Sequence, residues 1–321
     1  MRHGTLTKGA AQRLPRTSPR LNLYNADGNE VIVRPNTHDK AAERERNMPG
    51  PTILSKENIE QIFNGAAASY DRIGPSIFAE FGERLVRRIP LRPGMRVLDV
   101  ATGNGAVLLP VSDRVGPEGH VVGIDMSAGI LRQAEQAVAS RGLENVELLK
   151  MDAEHLEFPD ESFDAVTCAF ALFMFPDMQT GLGDIRRVCK PDGYVAVTYF
   201  NKTPPPFDPG WPVFAQLCTA YQTGMRMPQK LGLAPEELET ILSRSGLRTI
   251  EIHSESNDIV YATGDDWWGF MMTLGSRATI LAMDEETRDR FKDDYLARLR
   301  PAWREDGLHM STSVIYALAK R

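Results

Sequence analysis

The sequence has little cysteine. Only Cys168, Cys189 and Cys218 occur among its 321 residues, and no two of them have C-x-x-C spacing. So few thiols exclude a disulfide framework and a C-x-x-C redox motif. Cys168 and Cys189 lie in apolar segments, where cysteine usually acts as a small buried hydrophobic residue. We therefore expect a reducing, cytoplasmic compartment.

The sequence also lacks long apolar runs and an excess of positive charge. No stretch approaches the roughly 20 apolar residues that cross a bilayer, and the N-terminus has no apolar core of a secretory signal. We expect no membrane span. The formal net charge is −6, which argues against a nucleic-acid partner because phosphate binding requires a basic surface.

Residues 1–54 differ in character from the rest of the chain. Residues 1–20 contain no acidic residue and two prolines, which predicts a disordered tail; an arginine-rich organelle-targeting segment is the alternative. Asp27-Gly28 lies between two extended apolar stretches and indicates a hairpin. We interpret residues 1–54 as an N-terminal tail with this hairpin.

From residue 55 onwards, helical and extended patterns alternate. Helices are predicted at 55–64 and 76–88, and strands at 97–100, 121–124, 146–150, 163–169, 194–200, 247–253 and 313–319. Strands separated by helix-length segments predict a parallel α/β sheet with right-handed crossovers. Ligands of such sheets bind at the carboxyl ends of the strands.

The first strand leads into a loop of small residues. Asp99, Ala101, Gly103 and Gly105 form the pattern D-x-A-x-G-x-G, and a helix is expected from Gly105 onwards. Small residues let the backbone turn sharply and approach a ligand closely, and the next helix offers free N–H groups. The alternative is a tight turn without a ligand.

An acidic residue ends the second strand. Asp125 closes the segment GHVVGID, 20 residues after Gly105. A carboxylate at this point can accept both hydroxyls of a ribose. The alternative role is a negative charge at the start of the helix near Ser127. Because the two signals occur together, they favour a nucleoside site.

Five segments in this order resemble the class I S-adenosylmethionine-dependent methyltransferases: VLDVATGNG, GPEGHVVGIDMSAGIL, MDAEHLEF, SFDAVTCAF and VCKPDGYVAVTYF. Within them, the chain is most similar to the ubiquinone/menaquinone-biosynthesis (UbiE-like) branch and its natural-product relatives, firmly over residues 61–200. The resemblance implies a Rossmann-like, seven-stranded, mostly parallel sheet with an antiparallel edge strand and helical cap insertions. Residues 55–200 would form the S-adenosylmethionine-binding core, and 201–321 the rest of the sheet with a cap over the acceptor.

The resemblance also implies a cofactor site. Gly103 and Gly105 would lie under the methionine portion of S-adenosylmethionine, and Asp99 would help to hold its amino end. Asp125 would bind the ribose, and Met126 would pack on the adenine.

Further cofactor contacts follow from the same resemblance. Asp152 and Ala153 would meet the adenine edge, Phe170 would face the sulfonium end, and Tyr70 would cover the methionine carboxylate. Ala101 departs from many families, which have glycine there, although alanine recurs in this branch.

A nicotinamide dehydrogenase is the competing interpretation of the glycine loop. That class normally has G-x-G-x-x-G, whereas here Gly105 is followed by Ala106, Val107 and Leu108. Asp99 and the Asp152-Ala153 pair also favour the methyl donor.

The segment AFALFMFPD, after the fourth strand, is expected to lie next to the acceptor. It has no D/N-P-P-Y tetrad, no Pro-Cys nucleophile and no carboxylate cluster for magnesium, so we expect no metal. An apolar pocket is suggested by four of its residues, Phe170, Leu172, Phe173 and Phe175. The alternative is that some of them belong to the hydrophobic core. His155 is a candidate base, with an exposed loop histidine as the alternative.

Two later segments are predicted to surround the acceptor. The proline-rich loop NKTPPPFDPGWP is a candidate rim. Residues 265–303 have a helical pattern and suggest an inserted cap, in which Trp267 and Trp268 are candidate lining residues or, alternatively, core.

The sequence therefore predicts methyl transfer to oxygen or carbon of a small apolar or aromatic metabolite, such as a quinone, phenol, indole or polyketide. The first alternative is a cyclase or pericyclase that binds S-adenosylmethionine without transferring its methyl group. A non-catalytic interaction protein is the second. Self-association into a homo-oligomer is left open.

Overall fold

The computed structural model describes residues 23–24, 30–31, 55–223 and 230–321. The chain divides into two compact units, 1–50 and 51–321. In the first, the short strands Leu23–Tyr24 (β1) and Glu30–Val31 (β2) pair antiparallel on either side of Asp27-Gly28. The predicted tail at 1–20 and the rest of 1–54 lie outside the described residues.

The second unit is built on one mixed sheet. Its strands are β3 (Arg96–Val100), β4 (His120–Asp125), β5 (Val146–Lys150), β6 (Phe163–Ala169), β7 (Cys189–Asn201), β8 (Gly232–Leu233), β9 (Arg248–Tyr261), β10 (Trp303–Arg304) and β11 (Gly307–Lys320). All seven predicted strands are present, and β8 and β10 add two-residue pairings.

The strand order is β5-β4-β3-β6-β7-β11-β9. Strands β3 to β7 run parallel, and β11 runs antiparallel to both of its neighbours, β7 and β9. The predicted fold class is confirmed, with one refinement. The antiparallel strand β11 lies one place inside the edge, and β9 forms the edge itself.

Ten α-helices of the described part surround the sheet. They are α1 (Lys56–Ala66), α2 (Ile77–Val86), α3 (Leu108–Val115), α4 (Ala128–Arg141), α5 (Met178–Val188), α6 (Gly210–Ala220), α7 (Pro235–Arg244), α8 (Gly264–Met271), α9 (Ser276–Leu281) and α10 (Glu285–Arg298). Helices α8 to α10 occupy the predicted insertion between the last two long strands. No helix of the described residues has both the length and the apolar character to cross a membrane.

The sheet separates two hydrophobic cores. One contains Phe81 of α2, Leu108 of α3 and Trp267 of α8, and the other contains Leu182 of α5 and Leu238 of α7. Central strands are therefore covered on both faces, which explains why they are nearly continuous apolar runs. Helices on both faces also leave the carboxyl ends of β3, β4 and β6 at one edge, where ligands of such sheets bind.

The helix predicted from Gly105 begins three residues later, at Leu108. Ala101, Gly103 and Gly105 all have positive φ, at 55°, 58° and 96°. The left-handed region is incompatible with a right-handed helix, so the chain must first pass through this loop.

Candidate functional site

A cavity of about 750 Å³ opens where β3, β4 and β6 end. We call it the strand-end cavity. Its lining comprises Lys56, Ile59, Phe63, Tyr70, Ala101, Gly103, Asp125, Met126, Ile130, Met151, Asp152, Ala153, Glu154, Ala169, Phe170, Ala171, Met174, Phe175 and Pro176.

A smaller inner cavity of about 360 Å³ lies between the glycine loop and α2. Its lining comprises Tyr70, Phe78, Asp99, Ala101, Thr102, Gly103, Asn104, Ala106, Val107, Ala169 and Phe170. It shares five of these residues with the strand-end cavity. The two cavities therefore border the same stretch of loop backbone.

The glycine loop brings backbone to the cavity surface. Gly103 lines both cavities, and a Cβ at this position would contact the Tyr70 ring at 3.7 Å. Gly105 lines neither cavity, and a Cβ there would approach Leu109 Cγ at 3.2 Å. Gly105 thus shapes the turn into α3.

Asp125 joins the loop to the end of β4. Its Oδ2 accepts a hydrogen bond from the Gly103 N–H at 3.0 Å, and its Oδ1 accepts one from the Ser127 N–H at 2.8 Å. Burial raises the pKa of Asp125, and these N–H groups oppose the rise. Each carboxylate oxygen retains acceptor capacity for a ligand hydroxyl.

Asp99 is buried at the inner cavity. It accepts hydrogen bonds from the Thr102 and Thr167 hydroxyls, each at 2.6 Å. Burial raises the pKa of Asp99 to about 6, the threonine hydroxyls oppose the rise, and the negative charge of Asp125 adds to it. No lysine or arginine in the described ranges forms an ion pair with Asp99 or Asp125. The site therefore favours a ligand that carries a cation and hydroxyl donors.

One part of the lining of the strand-end cavity is mostly apolar. Met126, Ile130, Met151 and Ala153 lie there together with Asp152. Their apolar surfaces and the Asp152 carboxylate suit a planar ring with an exocyclic amine.

Lys56, at the start of α1, was not predicted for the site. Its Nζ forms ion pairs with Asp152, at 2.6 Å, and with Glu154. Burial lowers the pKa of Lys56, but the two carboxylates outweigh this effect and the net pKa is raised. Lys56 could not be assigned from the sequence because it lies 96 residues from Asp152.

A third cavity of about 590 Å³, the aromatic cavity, adjoins the strand-end cavity. Its lining comprises Phe63, Tyr70, Phe78, Phe170, Phe173, Met174, Phe200, Phe207, Trp211, Leu231, Leu274 and Gly275. Phe173 lies there as expected. Phe207 comes from the proline-rich loop, and Trp211 from the first turn of α6.

Four residues line both the strand-end cavity and the aromatic cavity. They are Phe63, Tyr70, Phe170 and Met174, and we call them the shared wall. The Tyr70 ring stacks on Phe78, with centroids 5.7 Å apart and ring planes 2° apart. Burial raises the pKa of the Tyr70 hydroxyl, which keeps it protonated at neutral pH.

Phe170 is held in a strained conformation at the end of β6. Its φ is 51°, a rare value for a bulky residue. Its N–H donates to the Thr198 carbonyl at 3.2 Å and to Thr198 Oγ1 at 3.0 Å, and its ring packs against Phe78 and Phe200. Strain of this kind persists only where the surroundings enforce it and is often found at functional sites.

Trp267 and Trp268 do not line the aromatic cavity, contrary to expectation. Trp267 is fully buried, and its Nε1 donates to the Tyr295 hydroxyl at 2.8 Å. Trp268 packs against Phe291 and Tyr295. Both indoles therefore hold α8 against α10, and the cap contributes Leu274 and Gly275 to the cavity instead.

His155 is exposed and lines none of the three cavities. The structure therefore favours the exposed-loop interpretation over the role of a base. Within the described ranges, no group of three or more His, Cys, Asp or Glu side chains is arranged to hold a metal ion.

Comparisons with known proteins agree with this geometry. Residues 91–246 match the family model described as a methyltransferase domain. A demethylmenaquinone methyltransferase from Geobacillus kaustophilus is 39% identical over 142 residues, which are 43% of this chain and 61% of that protein. The aklanonic acid methyltransferase DauC from Streptomyces sp. is 35% identical over 161 residues, which are 48% of this chain and 73% of that protein.

A solved structure has the same fold. The YcgJ protein of Bacillus subtilis aligns with a TM-score of 0.51 and 22% identity, covering 75% of this chain and 98% of that one. The chain belongs to the class I S-adenosylmethionine-dependent methyltransferases. Its cofactor is accordingly S-adenosylmethionine.

The residues present fit this cofactor. Asp99 is buried and Asp125 is half-buried, and neither carboxylate has a cationic partner in the described part of the chain. The cofactor would bring an ammonium, a sulfonium and two ribose hydroxyls. The apolar end beside Asp152 suits its adenine. Withdrawing unpaired carboxylates from water is costly, and a cationic ligand would offset part of that cost.

Proposed function

We propose that this protein methylates an oxygen or carbon atom of a small, planar, largely apolar metabolite of quinone, phenol, indole or polyketide type. The observation that carries the proposal is the shared wall: an aromatic cavity adjoins the strand-end cavity through four common residues. An acceptor in the aromatic cavity would lie next to the sulfonium end of the cofactor.

The cofactor would be held along the strand-end and inner cavities. Asp125 would accept the ribose hydroxyls, and Met126 and Ala153 would contact the adenine together with the Asp152 carboxylate. This division assigns hydroxyl acceptors to the middle of the cavity and apolar contacts to its outer end.

The inner cavity would hold the amino-acid end of the cofactor. Asp99 would attract the ammonium, Gly103 would present backbone, and the Tyr70 hydroxyl would donate to the carboxylate. Gly105 would act indirectly, by fixing the turn.

The bound cofactor supplies a methyl group already activated on a sulfonium. The protein has to align the acceptor with that methyl and exclude water. Phe170 and Met174 lie where the two cavities meet and would define the opening between them. Phe173, Phe207 and Trp211 would hold the acceptor ring by contact with its faces.

The relatives support a small-metabolite acceptor. One is named for demethylmenaquinone and another for aklanonic acid. The chain covers only 61% of the first of these proteins, so neither acceptor is transferred to this chain by name.

The test is calorimetric titration with S-adenosylmethionine and S-adenosylhomocysteine. Asp125→Ala should weaken binding by about 100-fold, because each lost hydrogen bond to a charged group contributes about 1.5 kcal/mol or more. Asp125→Asn is the matched control. It keeps one acceptor oxygen and should retain part of the affinity.

Failure of the wild-type chain to bind either compound would contradict the proposal. Incubation with a panel of quinones, phenols and indoles should yield S-adenosylhomocysteine. Binding accompanied by rearranged acceptor, without S-adenosylhomocysteine, would instead identify a cyclase or pericyclase.

A further inference from the structure

The aromatic cavity has almost no acid–base chemistry of its own. Eight of its twelve described lining residues are aromatic, and Tyr70 is the one ionisable side chain among the twelve. A general base must lie within hydrogen-bond reach of the proton that it removes. An acceptor that reacts as an anion must therefore be acidic enough to lose its proton to water, or must lose it to a group outside this lining.

Tyr70 does not meet the need for a base. Burial raises the pKa of its phenol, so at neutral pH it is a hydroxyl and acts as a hydrogen-bond donor. Its ring is fixed by the parallel stack on Phe78 and by an edge contact with Phe63. The Tyr70 hydroxyl, which is assigned to the cofactor carboxylate, therefore cannot take the proton of an acceptor.

The carboxylates nearest to the aromatic cavity do not line it. Asp71 directs its two oxygens to backbone N–H groups of α2, at 3.3 and 3.2 Å. Asp99 and Asp125 line the cofactor side. Asp208, next to Phe207, is half-buried but does not line the cavity. None of these four is in position to deprotonate an acceptor that lies among the aromatic rings.

The nearby cations and hydroxyls are also directed away. Lys56 on α1 pairs with carboxylates at the adenine end. The Arg277 guanidinium on α9 lies against Gly65 and donates to the Met272 carbonyl at 3.3 Å. Tyr199 on β7 donates to the Lys230 carbonyl at 2.5 Å. Among the described residues, no carboxylate, histidine or lysine lines the aromatic cavity.

We propose that the acceptor is a planar conjugated acid, such as an acidic phenol, a hydroxyquinone or an enolised dicarbonyl, which occupies the aromatic cavity as its own anion. This inference rests on the proposed function. A lone pair on oxygen or carbon of the anion forms the bond to the methyl carbon while the methyl–sulfur bond breaks with its electrons on sulfur. Methylation on oxygen gives the product directly, with no proton left to remove. After methylation on carbon, the hydrogen on that carbon is lost to water as a proton.

The apolar lining favours this reaction. The two reactants carry opposite charges that cancel as the new bond forms, so the transition state is less charged than the separated ions. Low-dielectric surroundings therefore disfavour the reactants more than the transition state. A localised anion would be costly to bury, whereas a delocalised one beside a sulfonium costs less. Conjugation thus makes the acceptor planar, so that it can stack on the aromatic lining, and it also spreads the negative charge.

The test compares two probes of equal ring size on the full chain saturated with sinefungin, an unreactive cationic analogue of the cofactor. 2-Hydroxy-1,4-naphthoquinone is ionised at neutral pH, and 2-naphthol is protonated. The quinone should bind at least about 10-fold more tightly, and its absorbance spectrum in the complex should be that of the anion. With S-adenosylmethionine, the pH dependence of kcat/KM should follow the pKa of each acceptor.

A charge placed in the lining gives a second readout. Leu274 lines the aromatic cavity and not the strand-end cavity. Leu274→Glu should weaken binding of the quinone at least about 10-fold relative to the matched Leu274→Gln, and both variants should bind 2-naphthol alike. The spectral measurement uses the wild-type chain and does not depend on these variants folding.

Three results would overturn the inference: equal or tighter binding of 2-naphthol, a neutral spectrum of the bound quinone, or binding of neither probe. A single rate pKa shared by acceptors of different acidity would also overturn it, because it would reveal a base on the protein. Any of these results with sinefungin still bound leaves the proposed function standing. Loss of sinefungin and S-adenosylmethionine binding would count against the proposed function itself.

Discussion

Asp99 couples cofactor binding to pH. Its pKa is raised to about 6 by burial, and no cation of the described chain offsets its charge. A bound ammonium would lower this pKa, so binding would be linked to loss of a proton. The carboxylate would already be ionised above pH 6 and would have to lose its proton below it.

We therefore expect the affinity for S-adenosylmethionine to be constant from about pH 6 up to the pH at which the ammonium of the cofactor itself loses its proton. It should fall as the pH drops below this value, by up to tenfold per pH unit. Calorimetry in buffers of different ionisation enthalpy would detect the released proton. Asp71, whose pKa burial also raises to about 6, faces α2, so Asp71→Asn should retain the dependence and Asp99→Asn should lose it.

Ala101 is a non-glycine residue at a φ of 55°. The left-handed conformation costs an L-residue roughly 1–2 kcal/mol, part of which glycine recovers in spite of its greater unfolded-state entropy. Ala101→Gly should be neutral or stabilising by up to about 1 kcal/mol in chemical denaturation. The same change at Ala137, inside α4, should destabilise by about 1 kcal/mol. Equal losses at both positions would contradict the strain argument.

At the scale of residues, the sequence predicts best what lies near a motif. Asp99 and Asp125 lie in the last two residues of their strands, and Gly103 and Phe170 follow strand ends. Strand ends of a parallel sheet meet at one edge, so the proximity of these residues could be foreseen. Lys56 reaches the site only because α1 folds back over it. No local pattern encodes such a return.

At the scale of elements, α1 is tied to the loop after β5 by an ion-pair cluster. Lys56 contacts Asp152 and Glu154, and Glu154 also accepts a hydrogen bond from the Asp177 N–H. The Glu154 side chain is 8% exposed and the Lys56 side chain 35%. Removing Lys56 therefore leaves a buried carboxylate without its partner.

Lys56→Met should destabilise the fold by about 1–2 kcal/mol. In the Glu154→Gln background, the same change should cost clearly less. A double-mutant cycle measured by urea denaturation should give a coupling of about 1 kcal/mol. Purely additive effects would indicate that solvent screens the pair.

The order of elements could be predicted further than the side-chain directions within them. Periodicity located the seven main strands and the helical insertion. It could not distinguish which face of α8 meets the core, because Trp267 and Phe270 fit a buried face and a cavity face equally well. The structure shows that Trp267 faces the core, where it forms a hydrogen bond with Tyr295 of α10, 28 residues further along the chain.

At the scale of the whole molecule, the shared wall links the two cavities. Met174 lines both, whereas Leu274 lines only the aromatic cavity. Met174→Ala should weaken the binding of sinefungin and raise the KM of the acceptor together, each by roughly fivefold, since about 1 kcal/mol of apolar contact is lost on each side. Leu274→Ala should raise only the acceptor KM. Independent responses to Met174→Ala would show that the wall does not act on both sites.

A common partition has a cost for any change of selectivity. A smaller side chain at Phe63 or Met174 would admit a bulkier acceptor ring, but it would also remove contacts to the methyl donor. A broader range of acceptors would therefore be accompanied by weaker binding of the donor. Residues that line the aromatic cavity but not the strand-end cavity, such as Leu274 and Trp211, are free of this constraint. Diversification of the acceptor would therefore proceed fastest from the far side of the aromatic cavity.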